Sequence, residues 1–528
     1  MARKIESRLK VSGTLLAESP LHIGGKGGDP LVDLALAING EGKYYISGTS
    51  LSGALRGWRQ EYFDDCVTDQ IWGFSEQEEG QDSNQGYASF IVVEDATIKL
   101  PEGINIEIRD GVGIDREWGA AAEQIKYDRA IIPRGASFDL NLTIDIPSDN
   151  NENNINSNDF LAAIKTLLDT LEKGEIRLGA AKTRGLGKIK LNSGYKVKKY
   201  NLLTSEGMLA ALRGKEENHQ FQATSRAIPR AIPKLIVKIS WHPVGTLMVK
   251  AAQDGIAVDI LPLVSSVNRE IALVLPGSSI KGALRTQAER IIRTVCQIPM
   301  TQETEGKKRF LNQLQNIPLI ETIFGTATNH KNSQNGQPKP GLGSLSVDDC
   351  YSNQKVQPAQ WQNIITAKDD RELRDRLNEA KFDNTQQAYH VAVDRWTGGA
   401  ADGFLYSNLE PFNITWEDIY LTLNFNRIPD NEQNAALALL LLTLRDLCQG
   451  RIPLGYGVNR GMGAIAIKKI YFEGKDLPDS FSSLNSNKIS FTPEESFPGL
   501  EANLLSTFEQ NWQAWIECNR YQVVKETT

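Results

Sequence analysis

Two aspartates occupy matching loops in the two halves of this 528-residue chain. Asp33 follows the glycine-rich run 24–29, and Asp259 follows Asp254-Gly255. A loop carboxylate can hold a divalent cation or take part in proton transfer, although an isolated aspartate more often closes a turn or caps a helix. We predict Asp33 and Asp259 as catalytic residues and as ligands of Mg²⁺ or another divalent cation.

A second element occurs twice and is suited to bind an anion. Segments 48–56 and 277–285 both fit the pattern G-[ST]-S-[LI]-x-G-A-L-R. Hydroxyl and free N–H groups at a helix start attract phosphate, glycine permits close approach, and arginine pairs with phosphate. A capped, tightly packed helix would show the same pattern. The predicted phosphate contacts are Ser50, Arg56, Ser279, Lys281 and Arg285.

Each half ends in a glycine-rich turn, at 178–187 and 454–463. Neither turn has the G-K-[ST] ending of a nucleotide-binding loop. A nest of backbone N–H groups beside a basic side chain can still hold phosphate, whereas a simple tight turn would use the same glycines. We predict phosphate contacts by Lys182, Arg184 and Arg460.

An Asp-Arg pair recurs in each half, at Asp115-Arg116 and Asp394-Arg395. The surrounding pattern predicts long hairpins over 110–145 and 390–426. Arg116 and Arg395 are therefore expected either to brace the base of a hairpin or to contact nucleic acid.

These paired motifs keep their order along the chain, which indicates two divergent copies of one domain. In each copy the pattern predicts strand, helix, two strands, helix and strand, which is the ferredoxin-like (RRM-like) arrangement of the α+β class. The expected divisions are a first domain over 1–213, a linker over 214–234, a second domain over 235–474 and a C-terminal extension over 475–528. Insertions are expected at 301–345 and 355–388.

Composition excludes several classes of protein. Five scattered cysteines without a C-x-x-C pair argue against a zinc site or a disulfide framework and favour a reducing compartment. No apolar run approaches the ~20 residues that cross a bilayer, and the N-terminus shows no secretory pattern. We predict a cytoplasmic protein with no membrane partner. The net charge of −7 does not by itself indicate a partner.

The ordered set of motifs resembles the RAMP superfamily of CRISPR proteins in both halves. It consists of the G-[ST]-S element, an Ile-[Trp/Phe]-Gly segment at 71–73 and 323–325, an [Ile/Val]-Asp-Arg hairpin start and an Arg-Gly-x-Gly turn. More narrowly, the chain resembles the backbone subunits of type III effector complexes (the Csm-three/Cas-seven group). The tandem copies resemble the two-domain subunit of type III-D complexes.

This resemblance implies a function in an RNA-guided complex. The partners would be guide (CRISPR) RNA, target RNA and other effector subunits. A hairpin of each domain would displace a nucleotide of the guide–target duplex at every sixth position. A loop aspartate, Asp33 or Asp259 by position, would then cut the target RNA with a divalent metal. The chain would therefore be a metal-dependent endoribonuclease.

Two other functions remain open from the sequence. The protein could be a structural backbone subunit that binds guide RNA without cutting. It could instead be an endoribonuclease that processes the guide RNA, for which His22 is the candidate base near the motifs.

Overall fold

The computed structural model describes residues 5–25, 32–63, 67–76, 85–147, 157–214, 217–218, 230–315, 317–326, 341–484, 489–491 and 502–521. The chain divides into two compact units. The first comprises Met1–Ile106, Ala130–Lys182 and Leu186–Ala231, and the second comprises Glu107–Arg129, Thr183–Gly185 and Ile232–Thr528. Two segments of the first sequence copy, 107–129 and 183–185, thus belong to the second unit.

Strands of the first copy alternate with four helices. The strands are β1 Ile5–Ala17, β2 Tyr45–Ile46, β3 Phe74–Glu76, β4 Gln85–Tyr87, β5 Ile91–Val93, β6 Ala96–Lys99, β7 Glu107–Ile114, β8 Ala121–Ile131, β9 Ser137–Pro147, β10 Ile176–Arg177, β11 Lys188–Asn201 and β12 Glu217–Asn218. The helices are α1 Gly48–Tyr62, α2 Val67–Trp72, α3 Ser157–Lys173 and α4 Ser205–Arg213.

Strand β1 lies inside the sheet of the first unit, whose order is β10-β11-β1-β9-β6-β2. It pairs antiparallel with both β9 and β11. Its side chains alternate, and Leu9, Val11 and Leu15 are buried, as expected for a strand with one face on a core. Helix α3 packs against β11 and β9, and α1 packs against β5 and β10.

The second copy has the following strands: β13 Lys234–Pro243, β14 Val264–Val267, β15 Glu270–Leu275, β16 Leu345–Val347, β17 Cys350–Val356, β18 Thr385–Val393, β19 Ala400–Pro411, β20 Ile419–Asn424, β21 Ile465–Lys475 and β22 Ile489–Phe491. Its helices are α5 Gly277–Val295, α6 Gly306–Gln313, α7 Ile320–Phe324, α8 Pro358–Ile365, α9 Asp370–Glu379, α10 Gln433–Cys448 and α11 Ala502–Asn519.

The second unit repeats the plan of the first. Its five-stranded sheet has the order β16-β20-β13-β21-β22, with β13 between β20 and β21 as β1 lies between β9 and β11. The register against the last strand of the domain shifts at Gly13/Thr14 in β1 and at Ser240/Trp241 in β13. The two copies are tandem ferredoxin-like domains of the α+β class, as the sequence predicted.

Both hairpins are shorter than the predicted ranges. They comprise β7–β8 in the first copy and β18–β19 in the second. The predictions that they extend to residues 145 and 426 were wrong, because β9 and β20 pair with the central strands β1 and β13. The alternating burial of these two strands places them in the sheets.

The C-terminal helix α11 packs against α10 in the second unit. Trp512 and Trp515 stack on each other with ring centroids 5.4 Å apart and contact the hydrophobic core of that unit. Helices α8 and α9 form the predicted insertion at 355–388, while 327–340 of the other insertion lie outside the described residues. Of the helices that the structure describes, none is long and apolar enough to span a membrane.

Candidate RNA interface and cleavage loops

The starts of α1 and α5 hold a protein carboxylate where we expected phosphate. Asp95 Oδ1 accepts the N–H of Gly48 at 2.7 Å, and Asp349 Oδ1 accepts the N–H of Gly277 at 2.8 Å. Negative charge is favourable at the positive end of a helix. The carboxylates therefore satisfy one of the N–H groups that each predicted anion site would have used.

The serines of the two motifs lie beside these helix starts. Ser47 caps α1 by accepting the Ser50 N–H at 3.2 Å, and the two hydroxyl groups are 2.8 Å apart. Helix α5 begins after Pro276 without a side-chain cap. Ser50 and Ser279 are both half-buried, so each keeps part of its surface exposed to solvent.

The glycines of the repeated motif divide into two kinds. A Cβ atom would lie 2.0 Å from the Val93 carbonyl oxygen at Gly48, and a Cβ at Gly277 would lie 2.3 Å from the equivalent oxygen of Val347. These glycines are needed for the helix start to pack on a strand. The second glycine of each motif, Gly53 or Gly282, is exposed and has no atom within 4 Å of an added Cβ.

The motif arginines connect their helices to the Ile-[Trp/Phe]-Gly segments. Arg56 Nη2 donates to Asp69 at 2.8 Å, two residues before Ile71. Arg285 Nη1 donates to the carbonyl oxygen of Gly325 at 3.0 Å, and its Nε donates to Glu289 at 2.6 Å. Each motif arginine thus binds at or next to the Ile-[Trp/Phe]-Gly segment of its own copy, through a different group in each.

Lys281 is a buried cation without a carboxylate partner in the described part of the chain. Its Nζ donates to the Leu345 carbonyl at 2.6 Å and to the Thr183 hydroxyl at 3.1 Å, and the residue is 4% exposed. Burial and the nearby guanidinium groups of Arg184, Arg285 and Arg427 lower the pKa of Lys281 to about 7.

Arg129 belongs to the same group of like charges. Burial, the largest influence, and the charge of Arg184 lower its pKa, while Tyr127 acts in the opposite direction. We call Arg129, Arg184, Lys281 and Arg285 the basic cluster; all four belong to the second unit. Like charges disfavour one another's charged forms, as does burial.

The glycine-rich turns make the same contact in both copies. A Cβ would lie 2.3 Å from the His22 carbonyl oxygen at Gly179, and equally close to that of Met248 at Gly455. In each turn the following residue donates its N–H to that carbonyl, at 2.9 and 2.7 Å. The first glycine of each turn therefore has a packing role.

The cations on these turns differ in their surroundings. Lys182 is half-buried in the first unit, where its carbonyl accepts a hydrogen bond from Arg177 at 3.0 Å. Arg460 lies over two aromatic rings, 4.7 Å from the centroid of Tyr456 and 5.6 Å from that of Tyr406, and also donates to the Tyr406 hydroxyl. This exposed guanidinium on an aromatic support can stack against a base.

The two Asp-Arg pairs have different environments. Arg116 is paired with Glu289 at 2.5 Å, and its side chain is only 11% exposed. Arg395 is exposed at the tip of the second hairpin. The structure thus places Arg116 in a protein contact and leaves Arg395 accessible.

Both predicted cleavage aspartates are exposed. The Oδ2 atom of Asp259 accepts hydrogen bonds from the Ser407 N–H at 2.7 Å and its hydroxyl at 3.0 Å. Asp259 is thereby fixed to β19, next to the tyrosine that holds Arg460. Residues 26–31, which include Asp29, lie outside the described structure. Asp33 follows this range, two residues after residue 31.

A single carboxylate is compatible with a divalent cation only if other oxygens complete the coordination. Among the residues that the structure describes, no group of three or more His, Cys, Asp and Glu side chains could hold a metal by itself. Asp259 and Asp33 would each need oxygens from elsewhere to hold a cation. The candidate base His22 is buried, and its Nδ1 lies 2.8 Å from the Ala130 carbonyl.

The family model of the RAMP superfamily matches residues 14–190 and 272–466, more than half of the chain. The chain belongs to the RAMP superfamily. The two matched regions correspond to the two repeated domains of this RAMP protein. No individual curated protein matches the chain. Membership points to RNA binding and to participation in multi-subunit CRISPR complexes.

The structure brings several predicted residues of the RAMP protein together. Arg184, Lys281 and Arg285 share the basic cluster, while Asp259 and Arg460 bind neighbouring residues of β19. Sequence reasoning missed the carboxylates that accompany these groups: Asp95, Asp349 and Glu289. Two of these carboxylates belong to a pattern that recurs in the sequence. A valine is followed two residues later by an aspartate, at Val93-Glu94-Asp95 in the first copy and at Val347-Asp348-Asp349 in the second.

Proposed function

We propose that this RAMP protein is a backbone subunit of a type III CRISPR effector complex that binds guide RNA and cleaves complementary target RNA. By its tandem domains it resembles the two-domain subunit of type III-D complexes. Family membership supports RNA binding in a multi-subunit complex. The finer assignment rests on the residues described below.

The basic cluster carries the proposal for RNA. Lys281 is held by two neutral groups among three arginines, and these like charges act against its protonation. A phosphate group beside the cluster would relieve the repulsion. A chain with a net charge of −7 that concentrates positive charge at one place is suited to bind a polyanion there.

The exposed motif glycines support the same interface. Gly282 follows Lys281 on α5, and Gly53 occupies the equivalent position on α1. Glycine inside a helix costs about 1 kcal/mol relative to alanine, yet no protein atom requires it at either position. We propose that an RNA backbone approaches both helices there.

Cleavage is assigned to Asp33 and Asp259. Ser407 fixes the Asp259 carboxylate through Oδ2, which leaves Oδ1 for a cation. A bound Mg²⁺ would stabilise the charge that develops on the scissile phosphate. The protein's contribution is to hold the carboxylate in one orientation beside a hairpin, so that the target strand can be positioned against it.

A backbone subunit that binds guide RNA without cutting is the second candidate. It is favoured by the absence of a complete metal site among the described residues. Guide-RNA processing by His22 is disfavoured, because the imidazole is buried in the first unit.

Target cleavage by the assembled complex separates the two candidates. Labelled target RNA is incubated with complexes that carry the wild-type chain, Asp33→Ala or Asp259→Ala, with Mg²⁺ or with EDTA. Two cuts in the wild type, one lost in each variant and both lost in EDTA support cleavage. Asp254→Ala, an exposed carboxylate of the same loop as Asp259, is the matched control. No cleavage by the wild-type complex would support the structural role, whereas intact cleavage in both aspartate variants would show that Asp33 and Asp259 are not catalytic and make Asp29 the next candidate.

A further inference from the structure

One face of helix α5 lines a cavity of the second unit. The side chains that contribute recur every three or four residues along the helix: Thr286, Glu289, Arg290, Arg293 and Thr294. Arg116 at the tip of the first hairpin and two residues after the helix, Ile298 and Met300, complete the lining. The cavity measures about 300 Å³, which is at the lower end of the range for sites that bind small molecules.

The lining of this cavity carries more positive than negative charge. Among the described residues, Glu289 supplies its one carboxylate. Glu289 Oε2 lies 2.5 Å from Arg116 Nε and its Oε1 lies 2.6 Å from Arg285 Nε, so two guanidinium groups already share this negative charge. Neither Arg290 nor Arg293 forms an ion pair with a carboxylate of the described residues. Two cations of the lining are thus left without a neutralising partner there.

Arg293 is held in place by neutral groups. Its Nη1 donates to the Pro299 carbonyl at 2.8 Å, and its Nη2 donates to the Gln313 carbonyl at 2.7 Å. Its Nε is buried and has no hydrogen-bond partner among the described residues. Burial, the largest influence, lowers the pKa of Arg293, while Glu289 raises it and Arg116 lowers it. The guanidinium is therefore fixed in one orientation without being neutralised.

The chain that follows α5 supplies an apolar side of the cavity. Gln297 adopts the left-handed conformation with φ 57°, and the Ile298 N–H donates to the Arg293 carbonyl at 2.9 Å. This turn brings Ile298 and Met300 to the lining, where both are half-buried. Methionine and isoleucine can pack against an apolar or planar part of a ligand. The cavity thus combines cations with an apolar surface.

Two hydroxyl groups of the lining face the helix backbone with their hydrogen atoms. Thr286 donates to the Gly282 carbonyl at 3.0 Å, and Thr294 donates to the Arg290 carbonyl at 2.8 Å. Each hydroxyl oxygen keeps acceptor capacity for a further hydrogen bond. A ligand with hydroxyl or amino groups beside its anionic group would therefore find acceptors as well as cations.

We infer that this cavity is a binding site for a small phosphate monoester, such as a nucleoside monophosphate. A phosphate monoester carries a charge of about −1.5 to −2 at neutral pH, which matches the two cations Arg290 and Arg293 better than the single charge of a carboxylate. Guanidinium groups bind phosphate oxygens through two parallel hydrogen bonds. The inference concerns a site apart from Asp33 and Asp259 and holds whether or not the chain cuts RNA.

An internal phosphate of RNA is the competing occupant. Gly282, where we propose that RNA approaches α5, lies one turn before Thr286 on the same face of the helix. An internal phosphodiester, however, carries one negative charge and continues in two directions. The cavity is lined by the helix, by the hairpin residue Arg116 and by the segment after the helix. This lining on several sides favours a terminal phosphate group.

Calorimetric titration of the RNA-free, full-length protein tests the inference. The ligands are the four nucleoside 5′-monophosphates, a nucleoside without phosphate, and a dinucleoside monophosphate, whose phosphate is a diester. We expect at least one monophosphate to bind, and the nucleoside and the diester to bind about tenfold more weakly or worse, because each lacks the doubly charged group. Failure of all four monophosphates to bind, or equal binding of the diester, would overturn the inference.

Arg290→Glu locates the site on the protein. Arg290 is exposed and forms no ion pair in the described structure, so the variant should fold, as thermal denaturation can verify. We expect its affinity for the monophosphate to fall about tenfold or more. Arg290→Lys keeps the charge but not the paired donors, and its loss should be smaller. The matched control is Arg371→Glu, an exposed arginine on helix α9 of the same unit.

Wild-type affinity in Arg290→Glu, or an equal loss in Arg371→Glu, would show that the phosphate does not occupy this cavity. Guide-RNA affinity is measured in parallel for the wild type and both variants. An RNA affinity that falls as much as the monophosphate affinity in Arg290→Glu would assign the cavity to the RNA interface and refute a separate site. Monophosphate binding by a wild type that binds no guide RNA would instead refute the proposed function alone.

Discussion

Arg116 and Arg285 share one carboxylate, that of Glu289. Arg116 Nε lies 2.5 Å from Oε2, and Arg285 Nε lies 2.6 Å from Oε1. The Glu289 side chain is only 2% exposed. One buried anion thus connects the hairpin tip from the first copy with the motif arginine of the second copy, both within the second unit.

Glu289→Gln should destabilise the protein strongly. Removing the carboxylate leaves two partly buried guanidinium groups uncompensated, and loss of one partner of a buried ion pair costs about 3–5 kcal/mol. Urea denaturation measures the effect. The matched control is Gln60→Glu, because Gln60 is exposed at the equivalent position of α1. A Glu289→Gln variant as stable as the wild type would contradict the assigned role of this pair.

The two kinds of motif glycine should respond in opposite ways to alanine. Gly48→Ala and Gly277→Ala bring a Cβ within 2.0 and 2.3 Å of a carbonyl oxygen, so each should lose about 1–3 kcal/mol of stability. Gly53→Ala and Gly282→Ala meet no atom and should gain about 0.5–1 kcal/mol. Thermal and urea denaturation report these changes.

Gly53→Ala and Gly282→Ala should also weaken guide-RNA binding despite the gain in stability. The added methyl group would lie where we propose that the RNA backbone approaches α1 and α5. Filter binding at fixed salt measures the affinity, since phosphate contacts depend on salt concentration. Unchanged affinity in both variants would remove these helices from the proposed interface.

Lys281→Met should alter the pH dependence of stability. The pKa of Lys281 is about 7 in the folded protein and about 10.4 in the unfolded chain. Between these two pH values, only the unfolded state binds the proton. The contribution of this site to stability therefore rises with pH over that window, by at most about 1.4 kcal/mol per unit. The variant should lack this rise.

Denaturation of the wild type and Lys281→Met at several pH values from 6 to 9 tests this sign, with the exposed Lys307→Met as the control. The stability of the wild type relative to Lys281→Met should increase as the pH rises above about 7. A constant difference would show that Lys281 keeps its proton in the folded protein.

Ser407→Ala should reduce one cut of the target RNA and leave the other intact. It removes the hydroxyl that donates to Asp259 at 3.0 Å, while the Ser407 N–H remains. The carboxylate would lose part of its fixed orientation, so the rate of the second cut should fall by less than in Asp259→Ala. Gel analysis of the two products separates the sites. Equal loss of both cuts would contradict independent catalytic loops.

The sequence by itself determined the repeat and the plan of each domain. The paired G-[ST]-S elements, the Asp-Arg pairs and the glycine-rich turns all recur in order, and the predicted order of strands and helices in each copy agrees with the ferredoxin-like domains of the structure. Periodic burial and the backbone conformation of a tight turn depend on short stretches of chain. Such local requirements are visible in the sequence.

Only the tertiary structure decided which cations are paired or buried within the protein and which are exposed. Arg116, Lys281 and Arg285 have the residue types expected of phosphate contacts, yet Arg116 and Arg285 share Glu289 and Lys281 is buried. Arg395 repeats the Asp-Arg motif but is exposed. Ion pairing and burial depend on residues distant along the chain, so the roles of two identical motifs can be separated only when their three-dimensional neighbours are known.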